Sequence, residues 1–231
     1  MDAIIDCPSP NWDERARPVS AVVLHYTGMP DAAGAIYWLT TPESKVSAHY
    51  LVAEDGQIVR MVPEDKRAWH AGASSWRGEG DLNSRSVGIE IVNPGHEWGY
   101  RPFPEPQVSV LIPLVAEIVE RHGVEPRNVV GHADIAPTRK RDPGELFPWD
   151  RLARVGLAVP TPARATADPG WTDPGFLLAL NRWGYDVTDG PAAVTAFQRR
   201  FRPARVDGVI DGQCRALLLA LLLGSEQASA R

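Results

Sequence analysis

Two apolar runs of this chain carry a histidine at or just beyond their C-terminal ends. Val19–Tyr26 (VSAVVLHY) is rich in β-branched and aromatic residues and stops at Thr27-Gly28, and Asn128–Gly131 (NVVG) runs straight into His132. Such runs read as buried strands closed by turn residues. Ser86–Val92 (SVGIEIV) is a third, closed by Asn93-Pro94-Gly95, and 48–53 with 57–62 read as a hairpin around Glu54-Asp55-Gly56. Helical spacing appears over Ala32–Leu39 and over Gln107–His122, where Gly123 gives the stop. Pro113 inside the second pattern predicts a kink or a helix start near it. Strands interleaved with helices predict an α/β fold with a mixed central sheet flanked by helices.

Residues 158–170 (AVPTPARATADPG) lack apolar periodicity and read as a linker. The chain of 231 residues then divides into 1–157, a linker at 158–170, and 171–231, with three short helices expected over 174–183, 190–201 and 213–223. The net charge of −5 gives no global field for nucleic acid or anionic membranes. Cys7 and Cys214 form no CxxC pattern, so neither a disulfide framework nor a thiolate metal site is expected. The longest apolar run, Ala216–Leu223, is too short to cross a bilayer. With no apolar leader and no lipobox around Cys7, the expected compartment is the cytoplasm, ahead of the periplasm.

Among six histidines, His25 and His132 stand at strand ends, where side chains of α/β folds project into a crevice. His132 opens an irregular run, Gly131–Trp149, that also holds Lys140 and Asp142. Two imidazoles and one carboxylate suit Zn²⁺, and three protein ligands leave a fourth position open, as in catalytic sites. The spacing fits equally well Asp142 as a loop cap and Lys140 as a solvated charge. Glu90 lies within an apolar strand, where a carboxylate is costly unless paired or used. It reads as a partner for a buried arginine, as a residue on a solvated sheet face, or as a general base.

Taken together, LHYTG at His25, SAHYLV at His49, AWHAG at His70, SVGIEIVN at Glu90 and VVGHADIAP-RK-DPG at His132 resemble the zinc N-acetylmuramoyl-L-alanine amidases, the type-2 family related to peptidoglycan recognition proteins. The match runs in order from Val19 to Trp149. The resemblance implies one zinc per chain, with His25, His132 and Asp142 as its ligands. It also implies Glu90 as general base and Lys140 as the cation that stabilises the oxyanion. His49 and His70 stand in motifs near the family's cleft and read first as structural residues, with support of the ligands or substrate contact as the alternative; Trp69 and Asn83 are weaker candidates for the cleft wall. The implied reaction is cleavage between N-acetylmuramic acid and L-alanine, with a muropeptide or peptidoglycan as partner, no nucleic acid or membrane, and a monomeric enzyme. A non-catalytic peptidoglycan sensor on the same fold is the alternative, disfavoured because a binder has no need of this residue set. A zinc peptidase acting on stem-peptide bonds would use similar chemistry.

FLLALNRWGYDV, AVTAFQRRF and DGVIDGQCRALLLAL resemble the three-helix peptidoglycan-binding domain appended to cell-wall hydrolases. The segment between its first two helices is shortened to Thr188-Asp189-Gly190, and Cys214 stands where a threonine commonly caps the last helix. Intracellular members of the amidase family cleave 1,6-anhydro-muropeptides during wall recycling. That role is the expected one here, with the appended domain as a lid over the substrate or a remnant.

Overall fold

The computed structural model describes residues 4–163 and 166–229. Its strands are β1 (Ile5–Asp6), β2 (Trp12–Glu14), β3 (Ala21–Tyr26), β4 (Tyr50–Val52), β5 (Ile58–Arg60), β6 (Lys66–Ala68), β7 (Ser75–Trp76), β8 (Glu79–Gly80), β9 (Ser86–Ile91) and β10 (Val129–Gly131). A six-stranded sheet has the order β1-β5-β4-β9-β3-β10. Only β4–β5 pairs antiparallel within it, so the sheet is mixed, as expected. The β4–β5 hairpin turns at Gly56, whose φ of 93° suits a residue without a side chain.

The helices are α1 (Ala32–Thr40), α2 (Leu82–Arg85), α3 (Gly95–Trp98), α4 (Glu105–His122), α5 (His132–Ile135), α6 (Trp149–Arg154), α7 (Asp173–Trp183), α8 (Gly190–Phe201) and α9 (Gly212–Ser229). Asp31 caps α1 by accepting from the Gly34 amide at 2.8 Å. The α4 stripe of Val108, Leu111, Leu114, Val115 and Ile118 packs on Val22, Leu24, Val87, Ile89 and Ile91 of one sheet face. Of the two outcomes expected at Pro113, a helix start is ruled out, because α4 begins at Glu105. Pro113 sits on the exposed side, where solvent can serve the Ser109 carbonyl that loses its amide partner.

The opposite face, through Ala21, Val23 and Val130, packs into one cluster with α5, with Phe176, Leu180, Phe197 and Phe201 of the C-terminal helices, and with Tyr185 of the loop after α7. The stretch read as a linker packs against both clusters and makes a hydrogen bond to α9. Ala158 is buried in the first cluster, Val159 packs on the second, and Thr166 Oγ1 donates to the Ala216 carbonyl at 2.9 Å. Residues 164 and 165 of that stretch lie outside the described residues. Asp211 caps α9 by accepting from the Cys214 amide at 3.0 Å, and Cys214 itself is buried. No helix among the described residues is long and apolar enough to cross a membrane.

Candidate metal centre and cleft

Parallel pairing sets His25 of β3 opposite Glu90 of β9, and Gly131 of β10 opposite Leu24. The residue after Gly131 is His132, so both histidines emerge side by side at the carboxyl ends of neighbouring strands. The loop after α5 returns Asp142 to them. His25 Nδ1 and His132 Nδ1 are 2.9 Å apart, and Asp142 Oδ2 is 3.1 Å from the first and 3.0 Å from the second. All three residues are buried.

This triangle fits a zinc ion. Bond lengths of 2.0–2.1 Å in a tetrahedron give ligand–ligand edges of about 3.3 Å. The outer ring nitrogens are already engaged: His132 Nε2 donates to the Ala71 carbonyl at 3.1 Å, and His25 Nε2 faces His70 Nδ1 at 3.0 Å. With their protons on Nε2, both imidazoles present Nδ1 lone pairs to one point. Burial first, and His132 second, push the His25 imidazole down to about 4, which keeps it neutral and able to ligate. Burial alone would raise Asp142, but the His132 and His25 imidazoles outweigh it and hold the carboxylate below its ordinary value.

His70 extends this arrangement. If His25 donates to His70 Nδ1, then His70 Nε2–H points at Ser86 Oγ, 3.3 Å away, and Ser86 donates onward to the Leu82 carbonyl. Every donor in this buried chain has one acceptor, so the tautomers are fixed from the far end. Gly88 makes room for it: a Cβ there would lie 2.4 Å from the His70 ring.

Glu90 reaches the cleft beside the triangle. Its Oε2 is buried without a hydrogen-bond partner among the described residues. Burial and then the Asp142 charge push its carboxyl well above the usual range, against the pull of Lys140. The cleft has a volume of about 480 Å³, and Glu90, Lys140, Trp69 and His70 line it together with the three clustered residues. Its lining runs from His25 to Asp142, so the C-terminal helices back the site instead of covering it as a lid.

His49 and Asn83 are not among the residues that line the cleft, and the structural reading of His49 fits its place. His49 is buried behind the cleft, its Nδ1 accepting from the Gly88 amide at 2.9 Å and its Nε2 facing the Lys66 carbonyl at 3.1 Å. Asn83 Oδ1 accepts from the His70 and Ala71 amides at 3.0 and 2.7 Å, bracing the segment that holds both imidazoles. Both have the polar side chains of a binding residue, but His49 bonds backbone through both ring nitrogens and also lies 2.9 Å from Arg15 Nη2, and the Asn83 carbonyl oxygen is taken up by two backbone amides. Sequence reasoning passed over Tyr26, His96 and Arg139, which also line the cleft. Arg139 and Arg141 flanking Lys140 were the available signal for a cationic wall.

The sequence model of the N-acetylmuramoyl-L-alanine amidase family matches residues 15–145, which span the whole triangle, Glu90 and Lys140. N-acetylmuramoyl-L-alanine amidase AmiD of Escherichia coli is 39% identical over 232 residues, covering 88% of this chain and 82% of its own. Its solved complex with the substrate anhydro-N-acetylmuramic acid-L-Ala-D-γ-Glu-L-Lys superposes with a TM-score of 0.81 at 37% identity, over 92% of this chain and 93% of that one. AmpDh3 of Pseudomonas aeruginosa gives 0.82 at 32% identity, over 95% and 96% of the two chains. The 1,6-anhydro-N-acetylmuramyl-L-alanine amidase AmpD of Escherichia coli is 36% identical over 127 residues, 55% of this chain and 67% of its own. Motif order, sheet topology and length of match agree, and the chain belongs to the N-acetylmuramoyl-L-alanine amidase family.

Proposed function

We propose that this protein hydrolyses the amide bond between the lactyl group of N-acetylmuramic acid, in its 1,6-anhydro form, and the L-alanine of the stem peptide, in cell-wall turnover. The observation that carries the reading is the convergence of three ligand atoms within 3.1 Å beside Glu90, whose buried Oε2 has no hydrogen-bond partner among the described residues. The relatives support the choice of substrate, since AmiD is solved with an anhydro-muramyl tripeptide and AmpD is named for the anhydro sugar.

His25, His132 and Asp142 would hold one zinc ion. Bound there, zinc supplies Lewis-acid chemistry, polarising a carbonyl and lowering the pKa of water to about 7. Glu90 takes the proton of the attacking water at a carboxylate oxygen. Its raised proton affinity suits the next step, in which that proton passes to the alanine nitrogen as the C–N bond breaks. Lys140 stabilises the negative charge that develops on the carbonyl oxygen. Trp69 offers an apolar wall to the substrate, and the cations Arg139 and Arg141 suit the carboxylates of a stem peptide. His70 acts behind the ligands through His25. All of these groups come from one chain, which suits a monomer, and the overall charge of −5 suits a small substrate better than a nucleic acid.

Zinc-loaded protein incubated with purified 1,6-anhydro-muropeptide and with intact sacculi tests the proposal by mass spectrometry of the soluble products. Free peptide beginning at L-alanine is expected from the muropeptide. Release from sacculi as well would extend the substrate to polymeric wall. Absence of product from both, with zinc bound, would leave a binding protein.

A further inference from the structure

Asp134 is a buried carboxylate for which amide hydrolysis has no use. It lies on α5, two residues beyond His132, and is 3% exposed. Its Oδ2 accepts from the Gly131 amide at 2.8 Å, the residue just before His132. Its Oδ1 accepts from the Tyr185 hydroxyl at 2.6 Å, and Tyr185 lies just past the end of α7 in the C-terminal region. Arg200 of α8 stands 3.6 Å from Oδ2, with its guanidinium stacked 3.2 Å from the centre of the Trp149 ring. The same short helix is tied to Asp142, because the Ala133 amide donates to the Asp142 carbonyl at 2.8 Å.

A second path crosses the same boundary. Arg199 Nε meets Glu145 Oε2 at 3.2 Å, Glu145 meets His96 Nε2 at 3.1 Å, and His96 Nδ1 meets the Tyr26 hydroxyl at 2.9 Å. Tyr26 follows His25 in β3 and lines the cleft. Trp183, Tyr185 and Arg200, from the RWGY and AFQRRF segments that look like a glycan-binding module, are each less than one-tenth exposed. Their side chains are used up between the two halves of the molecule and are not presented to a glycan.

We infer that the C-terminal helices form part of the metal site's support, with Tyr185 as a positioning residue that acts through Asp134 on the backbone carrying His132. This rests on the reading of His25, His132 and Asp142 as zinc ligands. The Tyr185–Asp134 bond and the Arg200 charge hold Asp134 in the one orientation that fixes Gly131. The Ala133–Asp142 bond then sets His132 Nδ1 and Asp142 Oδ2 against each other. Glycan capture by a tethered domain would require none of these contacts.

The test measures the zinc dissociation constant of the full chain by competition with a chromophoric chelator, for wild type, Tyr185→Phe, Asp134→Asn and the double variant. Partners bonded directly to a ligand change metal affinity about 10- to 100-fold, and a group one bond further out is expected to cost about 3- to 10-fold. Tyr185→Phe should weaken zinc by that amount, and the double variant should bind no more weakly than Asp134→Asn alone, because both changes cut one link. Asp168→Asn removes the exposed Asp168–Arg215 pair within the C-terminal region and should leave zinc affinity unchanged. A Tyr185→Phe protein with a lower melting temperature but zinc affinity within twofold of wild type would overturn the inference, as would multiplicative effects in the double variant. Failure of the wild type to bind zinc would overturn the ligand assignment and this inference together.

Discussion

Replacing Gly88 by alanine adds one methyl group and removes nothing. Gly88 has ordinary strand backbone, so the effect is steric alone. The new Cβ would lie 2.4 Å from His70 Cγ and 2.6 Å from its Cδ2 and Nδ1. Carbon contacts are most favourable near 3.5–4.0 Å, so the ring must retreat by about 1 Å. It is held at one end by His25 at 3.0 Å and at the other by Ser86 at 3.3 Å, and a displaced ring cannot keep both bonds. Overpacking of this kind costs about 1–3 kcal/mol. For a chain of this size that lowers the melting temperature of the metal-free protein by about 2–12 °C. Loss of the bond to His25 should also raise the zinc dissociation constant about 10- to 100-fold. Thermal denaturation and chelator competition on the same preparation read the two effects separately. A Gly88→Ala protein that melts within 1 °C of wild type and binds zinc within twofold would refute the account of how His70 is placed.

Other expectations follow from the same geometry. His70→Ala should weaken zinc about 10- to 100-fold, while His70→Asn, which keeps an acceptor near the position of Nδ1, should recover most of it; a changed KM with unchanged zinc affinity would instead make His70 a substrate contact. Glu90→Gln should lower kcat about 10²- to 10⁴-fold at unchanged zinc affinity, and its melting temperature should not fall, because a neutral amide replaces a buried carboxylate beside Asp142. Glu145 is held down to about 2 by its bond to His96, helped by Arg199. A carboxylate lowered on folding adds stability above its unfolded value near 4.5 and loses it as the pH falls toward 2. The melting difference between wild type and Glu145→Gln should therefore be fully present at pH 6 and shrink steadily by pH 3, which a set of melts across that range would show.

The strands that carry the site were legible because their apolar runs and turn residues are local signals, and β3, β9 and β10 all appear within two residues of the expected bounds. The helices α1, α4, α7 and α8 followed from spacing and caps for the same reason. Register was not legible from periodicity. Nothing local says that His25 lies opposite Glu90, and only the motif resemblance grouped them. Elements of two to four residues, such as β7, β8, α2 and α5, were missed because packing and not propensity decides such short pieces. The stretch at 158–170 looks like a free tether by composition, yet Ala158 and Val159 are held by clusters made mostly of distant residues. Asp134 was hidden for a related reason. In GHADIAP it reads as one more loop acid, and its partner Tyr185 is more than fifty residues away across a boundary that composition seemed to draw.

Hydrolysis of the muramyl amide places a water-derived oxygen on the lactyl carbon, and isotope labelling shows where that oxygen goes. Zinc-loaded protein would hydrolyse 1,6-anhydro-muropeptide in ¹⁸O-water, with both product fragments weighed by mass spectrometry. The account expects the label in the lactyl carboxylate of the anhydro-muramic acid and none in the peptide, which leaves with a free L-alanine amine. Label in a carboxylate of the stem peptide would contradict it and make the protein a peptidase.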